Sequence, residues 1–419
     1  MLTAAADAAN MGFEFLPEID EFKKEFESGG VAACTGMLER KRGEWNTLPL
    51  NVAVIGSSGV GKSSFINAVR RLTADDEGAA EVDVAECTSD IRGYPHPNNP
   101  LLKFWDLPGA GTDKFPRQTY LDDIEVDRFD FFLLITATRF TENDTWLGNE
   151  FCKRNKKYFF VRTKIGIDIS SNRKAHPRTH NEEAVVRKIR ESTEKHLKEN
   201  NSDGVPVFLI DSYKPMKFQF HQLEHHLIEE FPKMKKTALI LSLRATSKEM
   251  IQHKVAELRS RMWKVAALSG AVATIPIPGV SLVYDLKLVN DEAEFYFVQL
   301  GLDEVSLKRH AKVASTDYEQ LQAIVDEHLG VRAFSVEGVK TLIKLVCKGS
   351  AFVLTSTIAE EVSRFITIPV IGAFIAAPLS FGGTYYLLKL LLEKMEITAL
   401  EVIQFAAERA TDDEESDDF

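Results

Sequence analysis

Cysteine is scarce in this 419-residue chain, limited to Cys34, Cys87, Cys152 and Cys347. Their scatter has neither metal-ligand spacing nor the density of a disulfide framework, which excludes a zinc module or a stapled secreted scaffold and suits a reducing cytosol. Surplus positive charge is also missing. With 51 Lys and Arg against 62 Asp and Glu, the formal net charge is −11, so no nucleic-acid partner is expected; such a binder needs a basic face to neutralise phosphates. Met1 to Gly12 lacks the basic and apolar regions of a signal peptide, so the chain reads as not secreted. Leu2 stands where an N-myristoylated chain has glycine, and a start at Met11 would put Leu16 where Ser or Thr is wanted.

Unbroken apolar runs are lacking too. Val265 to Tyr284 and Phe365 to Leu388 carry no charge, but Pro276, Pro278 and Gly279 split the first, and Pro369, Gly372, Pro378, Gly382 and Gly383 interrupt the second. Each reads as a hairpin of two short helices in a helical core. A spanning segment stays open as an alternative, because membrane helices tolerate such breakers when neighbours satisfy the backbone.

What is present begins with an ordinary globular composition, 44% hydrophobic and 27% charged, on a chain long enough for two or three domains. The stretch "NVAVIGSSGVGKSSFINAVR", Asn51 to Arg70, reads as a buried strand, a glycine loop and a helix. Gly56, Gly59, Gly61, Lys62 and Ser63 fit G-x-x-x-x-G-K-[ST] without a mismatch, with Ser64 beside them. Glycines let the backbone fold back so that N–H groups converge on an anion, and the helix start adds partial positive charge. Lys62 is then expected at the β- and γ-phosphates and the Ser63 hydroxyl on Mg²⁺.

From residue 48 to about 235, strand candidates (Leu102 to Trp105, Phe131 to Thr136, Tyr158 to Arg162, Val205 to Ile210) alternate with amphipathic stretches. That alternation predicts a mostly parallel sheet with helices on both faces. Residues 1–47 read as an N-terminal helical segment, 236–410 as a C-terminal helical domain, and 411–419, "TDDEESDDF", as an acidic tail too poor in apolar residues to fold.

A P-loop alone does not distinguish kinase, ATPase and GTPase. "FWDLPGAGTD" ends a strand with Asp106 followed by Gly109, the D-x-x-G arrangement in which the aspartate holds Mg²⁺ through water and the glycine N–H senses the γ-phosphate. Thr88 in "AECTSD" is a candidate second hydroxyl for Mg²⁺ in a segment that orders on the γ-phosphate. No acceptor-binding lid of a kinase is visible.

Taken together, "GSSGVGKSSFINAVR", "YPHP", "FWDLPGAGTDKFP", "FDFFLLITATRF", "YFFVRTK" and "GLDEVSLKRHAK" resemble the immunity-related GTPases, the interferon-inducible, dynamin-like group, over about Phe13 to Glu408. The resemblance implies an α/β Ras-like P-loop G domain combined with an all-α domain built from N- and C-terminal helices. It implies GTP and GDP as ligands with Mg²⁺, and nucleotide-dependent homodimers or oligomers formed through the G domain. It also implies a cytoplasmic protein peripherally associated with intracellular membranes, acting on pathogen-containing vacuoles. Lys62 places the chain with the members whose loop reads G-K-S. In the family a switch glutamate two positions before the threonine is implicated in hydrolysis across the dimer, and Glu86 matches it; a solvated loop charge is the alternative. The catalytic candidates are thus Glu86, Lys62 and Thr88.

Two further absences bear on function. Where many small GTPases carry a water-orienting glutamine directly after D-x-x-G, this chain has Ala110. Guanine is normally read by [NT]-K-x-D, and in "TKIGID" Thr163 and Lys164 match, but Gly166 occupies the aspartate position. Asp168 either swings inward or helps to turn the loop. Asp211 and Ser212, at the end of the next strand, either compensate or cap a turn. The sequence alone therefore predicts degraded guanine selectivity, repaired by Gly166→Asp. Elsewhere, His221, Glu224 and His225 in "FHQLEHH" superficially resemble a metal helix, but the glutamate is misplaced for that motif. Lys340, Lys344 and Lys348 form a stripe suited either to a lipid interface or to the outer edge of a core helix.

Overall fold

The computed structural model describes residues 24–25, 28–29, 33, 36–37, 39–41, 43–82, 90–137, 140–200, 202–273, 280–314, 316–329 and 376–416. Glu86, Thr88 and the lysine stripe 340–348 lie outside them. The chain divides into two units, Asn46–Leu243 and Met1–Trp45 with Arg244–Phe419.

The first unit is a six-stranded sheet in the order β2-β3-β1-β4-β5-β6. Its strands are β1 (Leu50–Ile55), β2 (Arg92–His96), β3 (Asn99–Asp106), β4 (Phe131–Thr136), β5 (Tyr158–Arg162) and β6 (Val207–Leu209). All pairings are parallel except β2 with β3. β1, β4 and β5 are buried almost throughout, as strands covered on both faces must be. β2, "RGYPH", lacks the apolar run that marks a strand and is largely exposed; at the sheet edge, Pro95 costs no ladder bond to a further neighbour.

The helices of this unit are α1 (Lys62–Arg70), α2 (Tyr120–Asp123), α3 (Glu142–Lys153), α4 (Ile165–Ala175), α5 (Glu182–Glu199), α6 (Phe220–Glu230) and α7 (Lys233–Ser242). On one face, Ala53, Ile55, Phe132, Leu134 and Phe160 pack with Tyr120, Leu147, Phe151, Ile165 and Leu197. Phe65 of α1 meets Phe220 of α6, ring centroids 5.8 Å apart. α7 belongs to this unit although the sequence boundary was expected near residue 235. The reason is packing: Ala238, Leu239, Ile240 and Leu241 are buried, and Asn99 Nδ2 at the start of β3 donates to Ser242 Oγ at 2.8 Å.

β1 lies between β3 and β4, so the chain crosses to one side of β1 and then to the other. That makes β1 the switch point at which open α/β sheets bind ligands, beyond the carboxyl ends of the strands. Register brings Val54 level with Asp106, Ile55 with Leu134, Thr136 with Arg162 and Arg162 with Leu209. The segments after β1, β3, β5 and β6 therefore emerge on one rim.

The second unit is helical among its described residues: α8 (Lys248–Ala273), α9 (Val280–Gln299), α10 (Glu304–Val313), α11 (Tyr318–Leu329) and α12 (Ala376–Ser416). α12 packs along α8 and also against α9 and α11, burying Leu388, Leu391, Leu392, Met395 and Val402 with Met250, Ile251, Val255, Leu258 and Met262. Three expectations change here. Of the first uncharged stretch, residues 265–273 end one long helix, α8 of 26 residues, and 280–284 begin another, α9 of 20 residues, rather than forming two short ones; residues 274–279 lie outside the described residues. In the second, the chain from Ala376 is one helix of 41 residues that runs through Gly382 and Gly383. Pro378 sits in its first turn, where no intrahelical N–H bond is lost. That helix also reaches Ser416, so the acidic stretch is helical to that point; extending a packed helix avoids the cost of nucleating one. Among the described residues no helix is long and apolar enough to cross a membrane.

Candidate nucleotide site

The loop between β1 and α1 is shaped by three glycines. A Cβ on Gly56 would stand 2.1 Å from the Ile135 carbonyl oxygen, so only glycine lets the loop leave the sheet there. Gly59 and Gly61 adopt φ of 74° and 93°, a region costly for other residues. Gly61 is the N-cap of α1 and makes no side-chain cap bond. The first N–H groups of that helix therefore remain available to an anion.

Lys62 is buried, and its Nζ donates to the carbonyls of Gly56 at 3.1 Å and Ser57 at 3.2 Å. The ammonium is thus held inside the curl of the loop. Ser63 Oγ donates to Asp106 Oδ2 at 2.8 Å, joining the start of α1 to the end of β3. A hydroxyl and a carboxylate form a hard-oxygen pair that fits Mg²⁺. Gly109 lies against the loop: a Cβ there would be 3.5 Å from the Gly56 carbonyl oxygen and 3.8 Å from Ser58 N. Ala110 is buried at 5% exposure, and its carbonyl accepts from Asn143 Nδ2 at 2.8 Å. Asn143 in turn accepts from Arg117 Nε at 2.6 Å. The position after D-x-x-G is therefore packed away and has no group that orients water.

The segment after β5 clamps the loop from the other side. Thr163 Oγ1 donates to the Val60 carbonyl at 2.6 Å, and Lys164 Nζ donates to the Gly59 carbonyl at 2.7 Å. Lys164 takes φ of 61° at the N-cap of α4. Ser64 Oγ lies 3.4 Å from the Tyr213 hydroxyl.

Asp168 does not swing inward. Its Oδ2 accepts from Arg162 Nη2 at 2.6 Å, and burial raises its carboxyl above the ordinary range while Arg162 opposes that shift. Arg162 ends an otherwise apolar strand with its side chain 8% exposed, so it demands a counter-charge. That lone arginine in "YFFVR" was the sequence signal that assigns Asp168 a structural partner. Asp211 instead approaches the aspartate position of the pattern: the Gly166 N–H donates to its Oδ2 at 3.2 Å, and the Tyr213 N–H to its Oδ1 at 3.0 Å. A Cβ on Gly166 would stand 2.3 Å from Asp211 Oδ2. The expected repair by Gly166→Asp is therefore sterically blocked. Ser212 Oγ is buried without a hydrogen-bond partner among the described residues. Sequence reasoning missed Arg117, Asn143 and Tyr213, which carry no local signal.

The family model described as "Interferon-inducible GTPase (IIGP)" matches residues 17–358. The chain is similar to rat (Rattus norvegicus) interferon-inducible GTPase 5, 32% identical over 92% of this chain and 81% of that one. It is 36% identical to mouse (Mus musculus) interferon-inducible GTPase 1 over 71% of this chain and 72% of that one. The G domain of the T. maritima FeoB iron transporter aligns with 44% of this chain and 99% of its own, at 19% identity and a TM-score of 0.28. With the phosphate loop and D-x-x-G glycine set against each other and a family match across most of the sequence, this chain is a GTPase and belongs to the interferon-inducible GTPase family.

Proposed function

We propose that this GTPase binds GTP with Mg²⁺ between the P-loop and Asp106, hydrolyses it to GDP and phosphate in a self-assembled state formed through the G domain, and works peripherally on intracellular membranes, such as those of pathogen-containing vacuoles. The observation that carries the reading is the Ser63–Asp106 pair at 2.8 Å beside the uncapped start of α1 and the buried Lys62. Ser63 and Asp106 would hold Mg²⁺ there, and the ion would supply positive charge to offset the negative charge of the bound phosphate oxygens. Lys62 binds the same oxygens, Gly109 offers its N–H at the loop, and Thr163 and Lys164 keep the loop's outer carbonyls fixed.

Buried Ala110 supports hydrolysis in trans, because the usual water-orienting position is unusable. Glu86 and Thr88 are proposed for that work, Glu86 orienting water across a dimer and Thr88 adding a hydroxyl to Mg²⁺. A second reading, a weakly hydrolysing nucleotide-dependent scaffold, is favoured by Gly166 in the base-reading position. GTP turnover per molecule, measured across a protein dilution series with Lys62→Ala as the binding-deficient control, separates the two. Turnover that rises with concentration and vanishes in Lys62→Ala supports assembly-driven hydrolysis; low turnover independent of concentration supports the scaffold.

A further inference from the structure

We propose that Asp211 supplies the guanine-reading carboxylate that Gly166 lacks, so that the base is read from the end of β6 instead of from the first turn of α4. This deepens the GTPase reading and rests on it.

The first argument is occupancy. The Asp211 Oδ2 atom lies 2.3 Å from where a Gly166 Cβ would be, so the carboxylate fills the volume in which a side chain at the pattern position would begin. Glycine at 166 and aspartate at 211 are thus one arrangement: the absence of the first side chain makes room for the second. The pairing of β5 with β6 enforces the approach. Arg162 stands level with Leu209, Ile210 N donates to the Arg162 carbonyl at 2.8 Å, and Ile165 N donates to the Ile210 carbonyl at 3.3 Å.

The second argument is electrostatic. Asp211 is 8% exposed, yet among the described residues no Lys, Arg or His pairs with it, whereas Asp168 is held by Arg162. A buried carboxylate is costly unless its oxygens are satisfied. Here each oxygen receives one backbone N–H, from Gly166 and from Tyr213, which fixes the plane of the group and leaves further acceptor capacity on both atoms. Two parallel acceptors match the N1–H and 2-amino donors of guanine. Adenine offers an acceptor at N1 and no 2-amino group, so the same carboxylate disfavours it. Lys164 and Thr163, anchored to the loop carbonyls, place this carboxylate at the same rim as the phosphate cradle.

The test is a calorimetric binding panel of GTP, XTP and ATP with Mg²⁺ on the full chain. Asp211→Asn keeps an acceptor for the Tyr213 N–H but exchanges one oxygen for a donor, which suits the 2-carbonyl of xanthine and not the 2-amine of guanine. GTP affinity is expected to fall about tenfold or more, the loss of a charge-assisted bond, while XTP tightens to match or exceed it and ATP does not weaken. Asp211→Gly should lose GTP selection, and Gly166→Asp with Asp211→Gly, which moves the carboxylate to the pattern position, should regain it; this pair decides the matter if Asp211→Asn does not fold. Parental GTP, XTP and ATP ratios in Asp211→Asn or Asp211→Gly overturn the proposal. A parent that binds all three alike overturns it and leaves the phosphate site standing. A parent that binds none overturns both.

Discussion

Adding one methyl at Gly166 separates helix propensity from site geometry, because the two predict opposite signs. Gly166 is the second residue of α4, and replacing a helical glycine by alanine ordinarily stabilises by about 0.5–1 kcal/mol. At this position the new Cβ would meet Asp211 Oδ2 at 2.3 Å, against an ordinary contact of at least 3.4 Å, so the carboxylate must retreat by about 1 Å. Asp211 is short and nearly buried, with the Gly166 N–H bond already at 3.2 Å, and a shift of that size breaks the bond and turns the group away from the base. Overpacking of this kind costs about 1–3 kcal/mol in stability. Losing one charge-assisted hydrogen bond to guanine costs a further ~1.5–3 kcal/mol of binding, roughly tenfold to a hundredfold in affinity. Gly166→Ala should therefore lower the thermal midpoint and weaken GTP while leaving ATP nearly unchanged, as read by calorimetric unfolding and titration. A raised midpoint with parental GTP affinity refutes the reasoning.

Asp168→Ala should destabilise the first unit by about 1–3 kcal/mol, since it strands the buried Arg162 guanidinium while Asp168 itself is partly exposed, and should leave the GTP to ATP affinity ratio unchanged; a collapsed ratio at constant thermal midpoint would return Asp168 to the base. In the helical unit, burial lowers the Lys254 amine to about 7, with Arg244 adding to the shift, and its Nζ donates to Gln299 Oε1 at 2.6 Å. The unfolded chain, with lysine near its ordinary 10.5, binds more protons between these values, so stability should rise with pH from about 7 towards 10.5 and level off below 7. Urea unfolding at pH 7, 8 and 9 should show about 2 kcal/mol of that rise, and Lys254→Met should flatten it.

The phosphate loop, its lysine and the D-x-x-G aspartate were legible in the sequence because their chemistry is local. Gly56 to Ser63 are contiguous, and what they need is a set of backbone angles and a helix start that neighbouring residues specify. The strands β4 and β5 were legible for a related reason, since a strand buried on both faces is an unbroken apolar run. β2 was not, because an edge strand needs little apolar surface. Gly382 and Gly383 suggested a break, yet α12 passes through them, because packing along α8 outweighs the weak preference of two glycines.

The segment after β5 marks the limit most clearly. Read along the chain, Gly166 was a missing aspartate and Asp168 a misplaced one. The pairing of β5 with β6 decided otherwise, by bringing together two residues 45 positions apart, so that one carboxylate occupies the space left by the glycine. Asp168 was likewise assigned by Arg162, whose burial is a property of the sheet. By itself the sequence determined the P-loop and the alternation of buried strands with helices around it, because φ/ψ preference and hydrophobic periodicity depend on near neighbours. Only the tertiary structure decided which carboxylate lies against Gly166, because a volume shared by two distant residues exists only once strand register has placed their backbones side by side.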